Sequence, residues 1–138
     1  MSVKISGSYK GKKKVDLTHL DSGSVISTDA PRDNSGDGSK FSPTDLVAAA
    51  FGSCVMTTIA IVAERGGLSV EGMHMSVEKH MSQDPRRIGA LPLTVHLPKA
   101  LLPHERQKLE RAGLGCPVHH SLHPEVRCDI TFLYDVEQ

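Results

Sequence analysis

The chain has 138 residues and 38% hydrophobic content, with 16 basic and 16 acidic side chains that cancel. That is enough for a single compact domain spanning residues 1–138, with no room for a second full core. A neutral balance excludes nucleic acid as the main partner, since phosphate binding needs clustered positive charge, and the absence of Trp leaves little for a base-stacking or flat aromatic cofactor site.

The first fourteen residues carry no apolar segment of the signal type, so the chain reads as cytoplasmic, where thiols stay reduced unless chemistry uses them. The run Lys12-Lys13-Lys14 is short and reads as a solvated strand or turn. Residues 3–9, 13–18 and 24–28 carry β-branched side chains and are separated by Gly11 and by Asp21-Ser22-Gly23, which predicts three short strands. Residues 29–40 are rich in Asp, Gly, Ser and Pro and form a loop.

From Leu46 to Ala63 there is no charged residue. Ser42 is a good N-cap, Pro43 suits the first helical position, and Asp45 completes a capping-box-like arrangement near the positive helix end. Gly66-Gly67 supplies the stop. A helix over 43–65 is about 35 Å long. Its apolar run approaches the length of a membrane span, but Gly52, Ser53, Thr57 and Thr58 dilute it. A central helix covered by sheet is the expectation, with no membrane partner. Such a helix needs cover on all sides, which a chain this small has trouble providing, and that points to a homodimer.

After the helix, Met73, Met75 and Val77 alternate with polar neighbours as a half-buried strand, and Leu91, Leu93, Val95 and Leu97 repeat the pattern. Residues 82–89, with Asp84-Pro85, read as a turn or a longer excursion between them. Pro103 opens a second, charged helix through Ala112, closed by Gly113. Val126, Cys128, Ile130, Phe132 and Tyr134 form one face of a last strand. The class is α+β, with antiparallel sheet packed on a central helix.

Three cysteines are too few for a disulfide scaffold, so each needs its own account. Cys54 lies mid-helix, where an isolated cysteine is commonly a small core hydrophobe. Cys116 precedes Pro117, which places it at the N-cap of a short helix, a site that favours a thiolate; the alternative is a turn cysteine with no role. Cys128 is in register with Val126 and Ile130 and reads as core filler.

The segment Phe41-Ser-Pro-Thr-Asp-Leu-Val-Ala-Ala-Ala-Phe-Gly-Ser-Cys54, followed downstream by Cys116-Pro-Val-His-His-Ser-Leu122, resembles the paired signatures of the OsmC/Ohr family. The resemblance implies an OsmC-like fold, an intertwined cytoplasmic homodimer, and a thiol peroxidase of oxidative stress defence needing no cofactor and no metal. Its partners are then a hydroperoxide and an external dithiol reductant of unknown identity. Cys54 attacks the peroxide and becomes a sulfenic acid; Cys116 condenses with it to a disulfide. A thiol in apolar surroundings needs a nearby cation to ionise. The best-studied branch resembles this chain less closely here: its glutamate ten residues before the helix cysteine is replaced by Thr44, with Asp45 one place on and already accounted for as a cap. Arg32, Arg86 or Arg87 could supply the charge, and the sequence does not choose among them.

Two readings compete. A zinc site could draw on Cys116, His119, His120 and His123, with Cys54 or Cys128 as a further ligand. Against it, adjacent histidines on a short helix point in different directions, and the simpler account of His119 and His120 is a partly exposed surface pair. The other is a non-enzymatic dimer that binds an apolar small ligand.

Overall fold

The computed structural model describes all 138 residues, which form two compact units, Met1–Val47 and Ala48–Gln138. In the first, strands β1 (Ile5–Gly11), β2 (Lys14–His19) and β3 (Val25–Asp29) make an antiparallel meander in that order. The β1–β2 turn passes through positive φ at Gly11, Lys12 and Lys13. The basic run is therefore a hairpin turn, closed by the Lys13 amide donating to Tyr9 Oη at 3.1 Å, and its last member opens β2.

Asp29 ends β3 and is buried. Its Oδ2 accepts from the Ser39 amide at 2.9 Å and the Ser39 hydroxyl at 2.6 Å, while Oδ1 lies 3.5 Å from Lys14 Nζ. One carboxylate thus holds the predicted loop against the end of the strand, and Lys14 also reaches Asp37 at 3.0 Å. The Ser39 hydroxyl, the Ser39 amide and the Lys14 charge keep the Asp29 carboxyl below its ordinary value.

Helix α1 (Pro43–Arg65) begins as the sequence predicts. The Asp45 amide donates to Ser42 Oγ at 3.1 Å and the Ser42 amide to Asp45 Oδ2 at 2.9 Å, a reciprocal capping box. The stop is equally legible: Gly67 takes φ +67°, and the Leu68 amide returns to the Ala63 carbonyl at 2.8 Å. The helix is long and apolar enough to cross a membrane by length and composition alone.

In the second unit α1 buries Ala48, Phe51, Gly52, Val55, Ile59 and Ala63, a single stripe at helical spacing. Ile61 on another face remains 44% exposed. Against the stripe lies the sheet β4 (His74–Val77), β7 (Leu93–Pro98) and β8 (Ile130–Val136), with β7 central. Leu91, Leu93, Val95 and Leu97 are all buried and supply the sheet side of the core. Contact is close at Gly52, where an added Cβ would lie 2.5 Å from Met75 Cε and 2.8 Å from its Sδ. Glycine there lets the helix approach the sheet.

Three features go beyond the sequence reading. The excursion at residues 82–89 contains most of a two-stranded hairpin, β5 (His80–Ser82) and β6 (Arg87–Ala90). Strand β8 runs parallel to β7, whereas every other strand pairing is antiparallel. A parallel return needs a crossover, supplied by α2 (Pro103–Leu114) and the one-turn α3 (Pro117–Ser121). Finally, α2 does not stop at Gly113 but at Gly115. Gly113 is buried inside the helix, where a Cβ would meet Ile59 Cδ1 at 3.1 Å and Val55 Cγ1 at 3.2 Å. The sequence shows a glycine; the structure shows that its purpose is close helix packing rather than termination.

Candidate functional site

Cys54 occupies the middle of α1 and is half-buried, one turn beyond the fully buried Phe51. Its carbonyl accepts the Thr58 hydroxyl at 2.8 Å, a bond internal to the helix. Cys116 lies in the link between α2 and α3 and is completely shielded from solvent. The two cysteines, far apart in sequence, pack into the same core cluster and are near enough for Cys54 to act on the Cys116 thiol. No disulfide is present, and all three cysteines are free.

Cys116 is the N-cap of α3: its backbone is extended (φ −69°, ψ 140°), Pro117 takes the first helical position, and Sγ accepts the His119 amide at 3.3 Å. The expected cap geometry is present, but the expected acidity is not. Burial pushes the Cys116 thiol up; the His119 amide pulls the other way but is outweighed, and the neighbouring Cys54 adds to the upward shift. A fully buried sulfur loses more by desolvation of its charged form than the His119 and Val118 amides of a one-turn helix return. The sequence expectation of a lowered Cys116 thiol is therefore corrected.

His119 joins the pair to the core. Its backbone amide holds Cys116, its ring packs tilted on Phe51 with centroids 5.8 Å apart, and its Nδ1 lies 3.4 Å from the Leu114 carbonyl. His119 is partly exposed and His120 exposed, as the sequence reading has them, and the His119 ring in addition packs from α3 onto α1. The one available signal was its position three residues after an N-cap cysteine, where the N-cap side chain takes the backbone amide.

The other candidates are engaged or placed as follows. Arg87 forms an ion pair with Glu125 at 3.0 Å, and Arg32 Nε donates to the Asp37 carbonyl at 3.2 Å in the first unit. Arg86 lies exposed in the turn between β5 and β6. Cys128 is half-buried against the core, its thiol pushed up by burial and then by the Asp129 charge. The proposed zinc ligands do not converge: His123 Nδ1 accepts the Glu125 amide at 3.1 Å, the His119 and His120 rings lie 6.1 Å apart, and no three His, Cys, Asp or Glu side chains form a group able to hold a metal ion. What the arrangement offers chemically is two adjacent sulfurs, one sealed in and one reachable from outside.

Residues 36–131 match the family described as OsmC-like protein. Among solved structures, a protein of Psychrobacter arcticus, provisionally named for osmotic stress induction and a detoxification response, is 33% identical over 96% of this chain and 95% of its own, with a TM-score of 0.87. An organic hydroperoxide resistance protein OsmC of Legionella pneumophila shares the fold at 20% identity over 96% of this chain and 97% of its own, TM-score 0.77. So does an organic hydroperoxide resistance protein of Elizabethkingia anophelis at 13% identity, over 98% and 97% of the two chains, TM-score 0.78. No curated protein is significantly similar to the chain.

Proposed function

Because the chain belongs to the OsmC-like family, we propose that it is a cysteine-based hydroperoxide reductase in which Cys54 attacks and Cys116 resolves. The observation that supports this reading is the packing of Cys54 and Cys116 into one core cluster as neighbours, together with their difference in exposure. Cys54 is the reachable sulfur and Cys116 the sealed one, which is the order of use that a peroxide arriving from solvent requires. The hydroperoxide resistance named for two structures of the same fold supports hydroperoxides as the substrate class.

The steps balance as follows. The Cys54 thiolate attacks the terminal peroxide oxygen, the O–O bond breaks, and the alkoxide leaves and takes a proton from solvent to become the alcohol. Cys54 is now a sulfenic acid. Cys116 sulfur attacks Cys54 sulfur, the S–O bond breaks, and the hydroxyl leaves with the Cys116 proton as water. The resulting disulfide returns to two thiols by exchange with an external dithiol. The unit at work is a homodimer in the cytoplasm, in which a second chain covers the apolar surface that one copy of α1 leaves exposed, Ile61 included. Neither nucleic acid nor a membrane takes part.

Titration with cumene hydroperoxide tests the proposal. Wild type consumes one equivalent per chain and loses two thiols. Cys54→Ser consumes none, and Cys116→Ser consumes one and then stalls as sulfenic acid or its over-oxidised forms. A reversed pattern swaps the roles. Unchanged thiols in excess peroxide end the peroxidase reading.

A further inference from the structure

The sheet β4–β7–β8 has a second face, turned away from α1 and the thiols, and three polar side chains form a row across it. His74 of β4 and His96 of β7 are direct partners in the antiparallel register. Each alternates with core residues on its own strand: Met75, which packs on Gly52 of α1, follows His74, and the buried Val95 and Leu97 flank His96. Asp135 lies on β8, the other neighbour of β7.

The two imidazole rings stack with centroids 4.4 Å apart and planes 4° from parallel. Their Nδ1 atoms are both engaged. His96 Nδ1 donates to the Asp135 carboxylate, 3.0 Å from Oδ1 and 2.9 Å from Oδ2, and His74 Nδ1 donates to the Gly72 carbonyl at 3.0 Å. A carboxylate and a carbonyl only accept, so the hydrogen sits on Nδ1 in both rings. In the neutral imidazole that leaves the lone pair on Nε2, the nitrogen farther from the backbone.

We propose that His74 and His96 bind one divalent late transition ion, of the zinc or nickel class, through their two Nε2 atoms, with water in the remaining positions. The site is separate from the thiol pair and does not depend on the peroxidase reading. An oxygen acceptor on the far ring nitrogen is what metal-ligating histidines use to fix the tautomer, hold the ring and raise its basicity, and here both rings have one. Imidazole nitrogens favour zinc, nickel and copper, whereas calcium and magnesium need several oxygens, and both Asp135 oxygens are turned to His96. Two nitrogens that bind one ion at about 2.0–2.1 Å lie no more than about 4 Å apart. The stack approaches that spacing, and the exposed His74 ring completes it by tilting its outer edge toward His96. The β4–β7 ladder holds both backbones in place, so binding requires movement of side chains alone. Cross-strand pairs also stack simply to support a sheet; affinity for metal is the property that separates the two roles.

Nickel(II), which leaves thiols reduced, is the probe, added to the untagged full-length protein at pH 8. Followed by NMR of the histidine rings, the His74 and His96 signals should broaden before those of His19, His80 and His104. In equilibrium dialysis His74→Asn and His96→Asn should each weaken nickel binding at least about 10-fold, and Asp135→Ala about 10- to 100-fold, the loss expected for an outer-shell partner. Unchanged affinity in any of the three variants overturns the proposal, as does broadening that spreads equally over all the histidines. Should a variant fail to fold, the order of broadening in wild type decides.

Discussion

Phe51→Ala probes the support beneath the thiol pair. Phe51 is fully buried one turn before Cys54 and belongs to the core cluster with Val55, Ile59, Leu93 and Leu109. Truncating a buried phenylalanine costs about 3–5 kcal/mol, from lost transfer energy and the cavity left behind. Part of that loss belongs to the His119 ring, 5.8 Å away and tilted by 55°, and ring pairs of this geometry contribute about 0.5–1.5 kcal/mol beyond their buried area. His119→Ala alone should therefore cost about 1 kcal/mol, and the double variant less than the sum of the singles by about 0.5–1.5 kcal/mol. Urea unfolding at one fixed protein concentration gives these values from the midpoints and slopes; in a thermal scan Phe51→Ala should melt about 10–15 °C lower. A loss below about 1.5 kcal/mol for Phe51→Ala, or strict additivity with His119→Ala, would refute the claim that this ring pair couples α3 to the core.

Three further outcomes follow from individual side chains. The depressed Asp29 carboxyl stabilises the fold above its unfolded value and loses that contribution as pH falls through the folded one, so wild type should weaken below about pH 4. Asp29→Asn should weaken less over that window, and faster amide exchange at Ser39 should report the loosened loop. Tyr134 donates to Glu110 at 2.5 Å, and burial followed by that bond raises its phenol. Its contribution is intact below pH 10.0 and declines above it as the unfolded chain ionises; Tyr134→Phe should cost about 1.5 kcal/mol at pH 7 and lose that alkaline dependence in urea titrations. Cys128→Ala should cost on the order of 1 kcal/mol as a small half-buried side chain and leave hydroperoxide consumption unchanged, whereas inactivation comparable to Cys54→Ser would make Cys128 part of the chemistry.

The parts of the molecule that were legible in sequence are those governed by local rules. The α1 capping box at Ser42 and Asp45, its glycine stop, and the N-cap position of Cys116 each depend on residues within one helical turn, and the structure contains all three. What was not legible depends on packing between distant segments. Gly113 looked like a stop because its partners, Val55 and Ile59, lie on another helix. The parallel pairing of β8 with β7 depends on how far α2 and α3 carry the chain back. The acidity of Cys116 is hidden for a related reason: the local dipole favours a thiolate, but the depth of burial that overrides it comes from elements remote in sequence. The packing of His119 is hidden from the sequence because its neighbour Phe51 is likewise distant.

Peptide mapping of the protein after one equivalent of hydroperoxide, alkylated without reduction, tests the central claim most directly. The account predicts a Cys54–Cys116 disulfide within one chain, with Cys128 recovered as a free thiol. A disulfide involving Cys128 instead, or three alkylated thiols after the peroxide has been consumed, would contradict it.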